Sequence, residues 1–298
     1  MNTTLVILAA GLGSRFGGGS AKQVAAVGKN GDIIADFSVF DAIRAGFTKI
    51  VYVIKKDMEE AFVENISSKI KGAEVALAFQ ELDDLPPGFA VAGRERPWGT
   101  AHALWAARHV VNEPMMMIHG DDFYGADAFR VVNAFLQNSA GDFEYGMCGY
   151  RLENTLSPMG GVSRGVCSVQ NGRLTNMRET HQIRLHPDGI AYPDDSGKLV
   201  YLPGSSIVSM GAFAYKPSIF AEIEKDFALF LSKKTQSPKA ELLMTDCVSN
   251  LITTGKATMQ VLETTGKWFG VTYQEDKPAV VAAIADLVKQ GVYPERLF

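Results

Sequence analysis

The sequence predicts an α/β protein: a doubly wound, mainly parallel, Rossmann-like sheet that continues into a mixed second half. Three observations predict it. Short continuous apolar runs, suited to strands covered on both faces, alternate with helical segments between residues 5 and 118. A glycine-rich loop follows the first of those runs directly. Beyond about residue 141 the alternation yields to strands with short connections. The 298 residues, 47% hydrophobic, suffice for a large core.

Leu5 to Ala10 reads as a central strand ending at glycine. Asp36 to Ala45 has helical spacing at Phe37, Phe40 and Ile43, and Gly46 suits the left-handed residue after a helix. Ile50–Ile54 is a second strand, Met58–Ile70 an amphipathic helix and Val75–Phe79 a third strand. Thr100–Val111 is a helix, and Met115–Ile118 a strand whose methionines are core. In the second half, Phe143–Tyr150, Val162–Val169, Arg173–Met177 and Val208–Tyr215 read as strands. Ile183 to Pro203 is polar and rich in Pro, Gly and Asp, a hairpin or a long surface loop. Helices follow at Ile219–Leu231 and Ala240–Thr254, then a strand at Thr258–Glu263 and a helix at Pro278–Gln290. No linker or repeat interrupts the chain. The expectation is a single domain over 1–298, with a nucleotide half at 1–140 and an acceptor half at 141–298.

Charge and cysteines narrow the function. A net charge of −4 argues against a general nucleic-acid binder. Cys148, Cys167 and Cys247 lie too far apart for a zinc cluster and make no disulfide framework, so inert thiols in a reducing cytoplasm are expected. No apolar run reaches the roughly 18 residues of a membrane span. The opening stretch has no positive region and no cleavage site, so it reads as a strand and not as a signal peptide.

The strongest local signal is Leu8-Ala-Ala-Gly11-Leu-Gly13-Ser14-Arg15-Phe-Gly17-Gly-Gly-Ser-Ala-Lys22. Glycines after a strand let backbone N–H groups close around an anion, and Arg15 and Lys22 supply charge for a polyphosphate. No Gly-Lys-Ser/Thr closes the loop, so it is not a P-loop. Gly17 falls one position late for a dinucleotide fingerprint, and no ribose-binding acid ends a second strand.

Ala9-Ala10-Gly11-Leu-Gly13-Ser14-Arg15 followed by Lys22-Gln23 resembles the signature of the sugar-1-phosphate nucleotidyltransferases, which include glucose-1-phosphate uridylyl- and thymidylyltransferases. Further blocks follow in the order of that family: Ile33 to Phe47, Pro97-Trp-Gly99-Thr100-Ala-His-Ala-Leu104, His119-Gly-Asp121-Asp122, Glu241 to Asp246 and Lys267-Trp268. The resemblance implies a GT-A-like fold and the reaction of a nucleoside triphosphate with a phosphorylated small molecule, a sugar 1-phosphate first of all. UTP or dTTP would be the donor and Mg²⁺ the cofactor, with no nucleic acid or membrane involved and with self-association into a homo-oligomer.

It also implies roles. Arg15, Lys22 and Asp121 are the catalytic set, and Asp121 is the metal ligand, with Asp122 second. Ala10, Gly11, Gly13, Ser14, Gln80 (or Glu81), Gly99 and Thr100 hold the nucleotide. Gly161, Glu179, Ser209 and Gly211 line the acceptor site. His119 is read as structural, and Trp98, Trp105 and Trp268 as core or pocket wall.

Three positions depart from the pattern that the resemblance implies. Thr180 and His181 stand where a lysine and a proline follow the glutamate. Gly270 stands where a second metal-binding aspartate lies two residues after the tryptophan. His181, Arg178, Arg184 or Lys267 would have to restore the cation, and Glu275 or Asp276 the carboxylate. Alternative readings are therefore another phosphorylated acceptor, such as phosphocholine, and a catalytically weakened NTP-binding sensor or partner.

Overall fold

The computed structural model describes residues 1–10, 26–91, 93–233, 239–270 and 276–298. Strands β1 (Thr4–Leu8), β2 (Lys49–Ile54), β3 (Glu74–Phe79) and β4 (Met115–His119) pair in parallel, in the order β3-β2-β1-β4. The apolar runs explain why. Leu5 and Ile7 face one core while Val6 faces another, and Ile50, Tyr52 and Ile54 alternate with Val51 and Val53 in the same way. A strand buried on both faces has no polar face, so it reads as a continuous run.

Helix α1 (Ile34–Ala45) covers the first face together with α2 (Glu59–Asn65) and α4 (Ala126–Asn138). The second face carries α3 (Thr100–Trp105), α5 (Ser218–Ser232) and α6 (Met244–Thr253). A smaller apolar cluster packs α7 (Lys277–Lys289) and Tyr293 against Phe37 of α1. Helix α1 ends as predicted: Gly46 has φ +97° and its N–H bonds the Ile43 carbonyl. Trp98 and Trp105 are core.

The sheet is mixed, which corrects the expectation of a mainly parallel one. Strand β11 (Ile207–Tyr215) inserts antiparallel between β4 and β6 (Glu144–Arg151), and β6 pairs in parallel with β12 (Thr258–Glu263). Strands β7 (Val162–Gln170), β8 (Arg173–His186), β9 (Gly189–Pro193) and β10 (Leu199–Leu202) extend the sheet as an antiparallel meander. The polar segment 183–203 is therefore hairpin rather than loop. Its strands carry few buried residues among exposed or half-buried ones, so they lack the apolar runs of the first half.

Other differences have local causes. The predicted helix over 58–70 breaks into α2 flanked by 3-10 turns, where Ser68 Oγ bonds the Glu64 carbonyl and competes with the helix. Helix α6 starts at Met244 and not Ala240, because Leu242 is tied in extended form to the Trp98 carbonyl and the Ala101 N–H. The sequence reading assigns nothing to 126–138. Helix α4 there buries Ala128, Phe129, Val132 and Leu136 at helical spacing. Cys148 and Cys247 are buried and Cys167 half-buried, all three unpaired, and burial pushes the Cys167 thiol up to about 12. Among the described residues no helix is long and apolar enough to cross a membrane.

Helix α1 stores a pH effect. Asp36 is buried, accepts the Ile33 N–H at 2.8 Å, and burial pushes its carboxyl up to about 6. A raised carboxyl binds its proton more tightly in the folded state. Its contribution is complete below the unfolded value of 3.8 and is lost as the pH rises through about 6. An asparagine at this position would keep the acceptor without the charge. Asp36→Asn is therefore expected to stabilise by on the order of 2 kcal/mol at pH 7 and by nothing at pH 4. Urea melts at the two pH values check this; equal differences at both would refute it.

Candidate functional site

Strand β4 ends at His119, and Gly120 N–H continues the ladder by bonding the Leu8 carbonyl of β1. Asp121 and Asp122 thus leave the carboxyl end of a central strand, beside the carboxyl end of β1. Ligands bind at such strand ends in α/β sheets. Metal-ligating atoms of His119, Asp121 and Asp122 lie within 4.8 Å of one another. Asp121 is exposed. Desolvation pushes the Asp122 carboxyl well above the usual range, the Asp121 charge adds to it, and Arg164 and the Tyr124 hydroxyl pull it back. The Tyr124 hydroxyl accepts the His119 N–H at 3.1 Å and lies 3.3 Å from Asp122 Oδ2. Burial lowers the His119 pKa, and Asp121 opposes that shift. A desolvated carboxylate repelled by a second one is relieved by a divalent cation, so these residues fit Mg²⁺, a hard ion that prefers oxygen.

Position 270 has a direct relation to this pair. Strands β5 (Asp122–Phe123) and β13 (Phe269–Gly270) pair antiparallel, with Gly270 opposite Asp122 and the Phe123 and Phe269 rings stacked at 4.2 Å. A Cβ at Gly270 would sit 2.6 Å from Asp122 Oδ1. The carboxylate expected at 270 thus has its counterpart across the strand pair, at 122. Asp276 does not replace it: it is buried and accepts the Ser157 hydroxyl at 3.0 Å. Glu275 lies outside the described residues.

A cleft of about 270 Å³ joins this pair to the second half of the chain. His119, Asp122, Thr100, Glu179, Ser209 and Gly211 all line it. The ladder explains the convergence. Ser209 of β11 opposes Gly165 of β7, and Gly165 opposes Glu179 of β8. Directly opposed residues share a face, so Ser209 and Glu179 flank a position that carries no side chain. Gly211, at φ +78°, sits where β11 shifts register, and a Cβ there would meet the His119 ring at 2.5 Å. Its glycine makes room for His119. Desolvation raises the Glu179 pKa, while His181 and Arg164 lower it.

The cation of the cleft is Arg164, which sequence reasoning missed. It is the one arginine or lysine lining the cleft among the described residues, and it opposes Thr180 in the β7–β8 ladder. It turns to the face opposite Glu179, and its guanidinium lies 4.5 Å from the centre of the Trp268 ring, itself a wall of the cleft. Arg178, His181, Arg184 and Lys267 are exposed, and none lines the cleft.

Gln80 and Gly99 do not line the cleft; they adjoin Thr100, which does. The Gln80 Nε2 is 3.1 Å from the Gly99 carbonyl and 3.2 Å from His102 Nδ1, and His102 Nε2 is 2.9 Å from the Asp84 carbonyl. Carbonyls only accept. Gln80 must therefore turn its NH₂ inward, His102 Nδ1 must accept, and the imidazole proton must sit on Nε2. Burial lowers the His102 pKa, in keeping with this neutral form. Both hydrogens of the Gln80 amide are committed, so the atom it offers a ligand is its carbonyl oxygen. Glu81 accepts the Lys56 N–H instead. Gly99 has φ +105°, and the space above it is filled by Leu242, whose carbonyl oxygen would lie 2.4 Å from a Cβ. The Thr100 hydroxyl accepts the Met244 N–H at 3.0 Å. Gly161 packs on Gln182 and does not line the cleft. Ala10 is buried just beyond β1. Gly11, Gly13, Ser14, Arg15 and Lys22 lie outside the described residues.

The family described as "Nucleotidyl transferase" matches residues 4–272. No curated protein matches the chain. Among solved structures, the inositol-1-phosphate CTP transferase of T. maritima is similar with a TM-score of 0.60 at 14% identity, over 96% of each chain. A UDP-glucose pyrophosphorylase bound to UDP-glucose gives 0.59 at 16% identity, over 96% of this chain and 99% of that one. A Bacillus anthracis protein assigned as a glucose-1-phosphate thymidylyltransferase, in complex with sucrose, gives 0.59 at 19%, over 95% and 96%. At these identities the likeness is one of fold, and it places the mixed α/β sheet among nucleotidyltransferases.

Proposed function

The chain belongs to the nucleotidyl transferase family and is an enzyme, and we propose that it transfers a nucleotidyl group from UTP or dTTP to a sugar 1-phosphate, giving a nucleoside diphosphate sugar and pyrophosphate. The observation that carries this reading is a cleft lined at once by Asp122, Glu179 and Ser209. An acceptor phosphate oxygen attacks the α-phosphorus of the triphosphate. The bond from that phosphorus to the bridging oxygen breaks, and pyrophosphate leaves with the electron pair. No covalent intermediate on the protein is needed, so catalysis is positioning and charge neutralisation.

Residues before about 140 take the nucleotide, and those after it take the acceptor. Gly11, Gly13, Ser14 and Arg15 hold the β- and γ-phosphates, and Lys22 holds the α-phosphate. Asp121 and Asp122 hold Mg²⁺, which when bound offsets the charge of two approaching anions. The Gln80 carbonyl oxygen accepts from the ring N–H of uracil or thymine. Cytosine has an acceptor at that ring nitrogen, so CTP is disfavoured. Glu179 accepts from sugar hydroxyls, with Ser209 beside it. The Trp268 ring carries Arg164. It is therefore engaged by a guanidinium where a phosphocholine site would want an aromatic face for the quaternary ammonium, and this favours a hydroxylated acceptor.

The test is pyrophosphate release with Mg²⁺, crossing UTP, dTTP, CTP, GTP and ATP with sugar 1-phosphates and phosphocholine. UTP or dTTP with a sugar 1-phosphate is expected to turn over. Release with phosphocholine alone would move the acceptor class, and silence with nucleotide binding intact would make the protein a binder.

A further inference from the structure

We propose that Arg164 binds the phosphate of the acceptor and so selects for phosphorylated substrates at the second half of the cleft. This rests on the transferase reading above. The acceptor must bring at least one negative charge toward a site whose described walls include Asp122 and Glu179. Without a cation between them, these carboxylates would exclude it. Arg164 is the lysine or arginine that the described walls supply, and it interacts electrostatically with both carboxylates. Desolvation lowers its pKa to about 10, which leaves it charged at neutral pH.

Its hold on the protein presents it for this work. Nε bonds Thr155 Oγ1 at 3.2 Å, one Nη bonds the Ser163 carbonyl at 2.7 Å, and the other bonds the Thr155 carbonyl. These fix the guanidinium plane over Trp268. A guanidinium has five N–H donors, so one hydrogen remains on each Nη, a pair suited to two oxygens of one phosphate. A purely structural ion pair would close on its carboxylate, yet no hydrogen bond joins Arg164 to Asp122 or Glu179. The Thr245 hydroxyl adds a further donor on the cleft wall, buried and without a partner.

The lining then specifies the substrate class. Asp122, Arg164 and Glu179 all line one cleft, so a phosphate held by Arg164 shares that cleft with a metal-binding carboxylate and with Glu179. The ligand is a small polyol monophosphate, which brings a phosphate for Arg164 and hydroxyls for Glu179.

Arg164→Lys and Arg164→Met test this by titration calorimetry and steady-state kinetics on the full chain. The ligands are glucose 1-phosphate, galactose 1-phosphate, inositol 1-phosphate and the corresponding unphosphorylated polyols. Arg164→Lys keeps charge but not the fork. It is expected to weaken whichever phosphorylated ligand binds, in Kd and acceptor KM, by about tenfold, and Arg164→Met by about a hundredfold. The KM for nucleotide should stay within about twofold, and the weak binding of the polyols should not change. An unchanged acceptor Kd in folded Arg164→Lys and Arg164→Met would overturn the assignment, as would equal losses for phosphorylated and unphosphorylated ligands. Turnover by the wild-type protein judges the transferase reading separately. A wild-type protein that binds a sugar phosphate through Arg164 yet releases no pyrophosphate keeps this site and loses that reading.

Discussion

Asp121→Asn is expected to cut pyrophosphate release by at least about a hundredfold, with almost no change in the melting temperature. The asymmetry follows from where the side chain is. Asp121 is exposed and makes no hydrogen bond or ion pair in the described structure, so the fold gains little from it. Its neighbour differs. Asp122 packs between Tyr124 and Gly270, so Asp122→Asn should weaken metal binding and alter stability together. Binding of Mn²⁺, followed by its electron spin resonance signal, separates metal affinity from turnover. Asp121→Asn protein that keeps both Mn²⁺ affinity and activity would remove Asp121 from the site. The pairing of positions 122 and 270 also makes a double variant informative. Asp122→Gly with Gly270→Asp removes the atom that a Cβ at 270 would meet, returns a carboxylate from the opposite strand and should recover Mn²⁺ affinity relative to Asp122→Gly alone.

Gly99→Ala is expected to be the most destabilising single methyl group in the chain, costing about 3 kcal/mol or more. Its φ of +105° penalises any side chain, and the new Cβ would lie 2.4 Å from the Leu242 carbonyl oxygen and 2.9 Å from its nitrogen. Both are backbone atoms held by the bonds from Leu242 N–H to Trp98 and from Ala101 N–H to Leu242, so neither can swing aside. The displaced Gly99 carbonyl would also release the Gln80 amide, which coupled denaturation and UTP-affinity measurements would detect. A loss below about 1 kcal/mol would mean that the 98–101 segment can slide past 242–244.

The parallel half was legible because its strands carry unbroken apolar runs, such as Leu5–Leu8 and Ile50–Ile54, and such runs have few other solutions. Motif alone singled out Glu179, Ser209 and Gly211, and all three line one cleft. Arg164 and the relation of Asp122 to Gly270 were not. Each depends on which residue of one strand faces which residue of another, and register is set by pairing between segments distant in sequence. Local patterning carries no record of it. Arg178, His181 and Arg184 are near Thr180 in the chain and Lys267 is distant, whereas Arg164, which lines the cleft, stands across the ladder from Thr180. The hairpins of 183–203 were only half legible, because one-sided strands hide their pattern among turn residues.

The antiparallel insertion of β11 bears on the order in which the molecule assembles. Phe213 pairs with Met117, so the apolar edge of β4 has no strand on that side until residues past 207 have been made. A chain emerging from the ribosome must carry that open edge while the whole meander is synthesised. Contacts of such sequence separation slow folding and prolong exposure to edge-to-edge association. The strand that shapes the cleft is therefore also the strand that ends this exposed stage of biogenesis, and mutations that delay its docking would reduce yield before they touch catalysis.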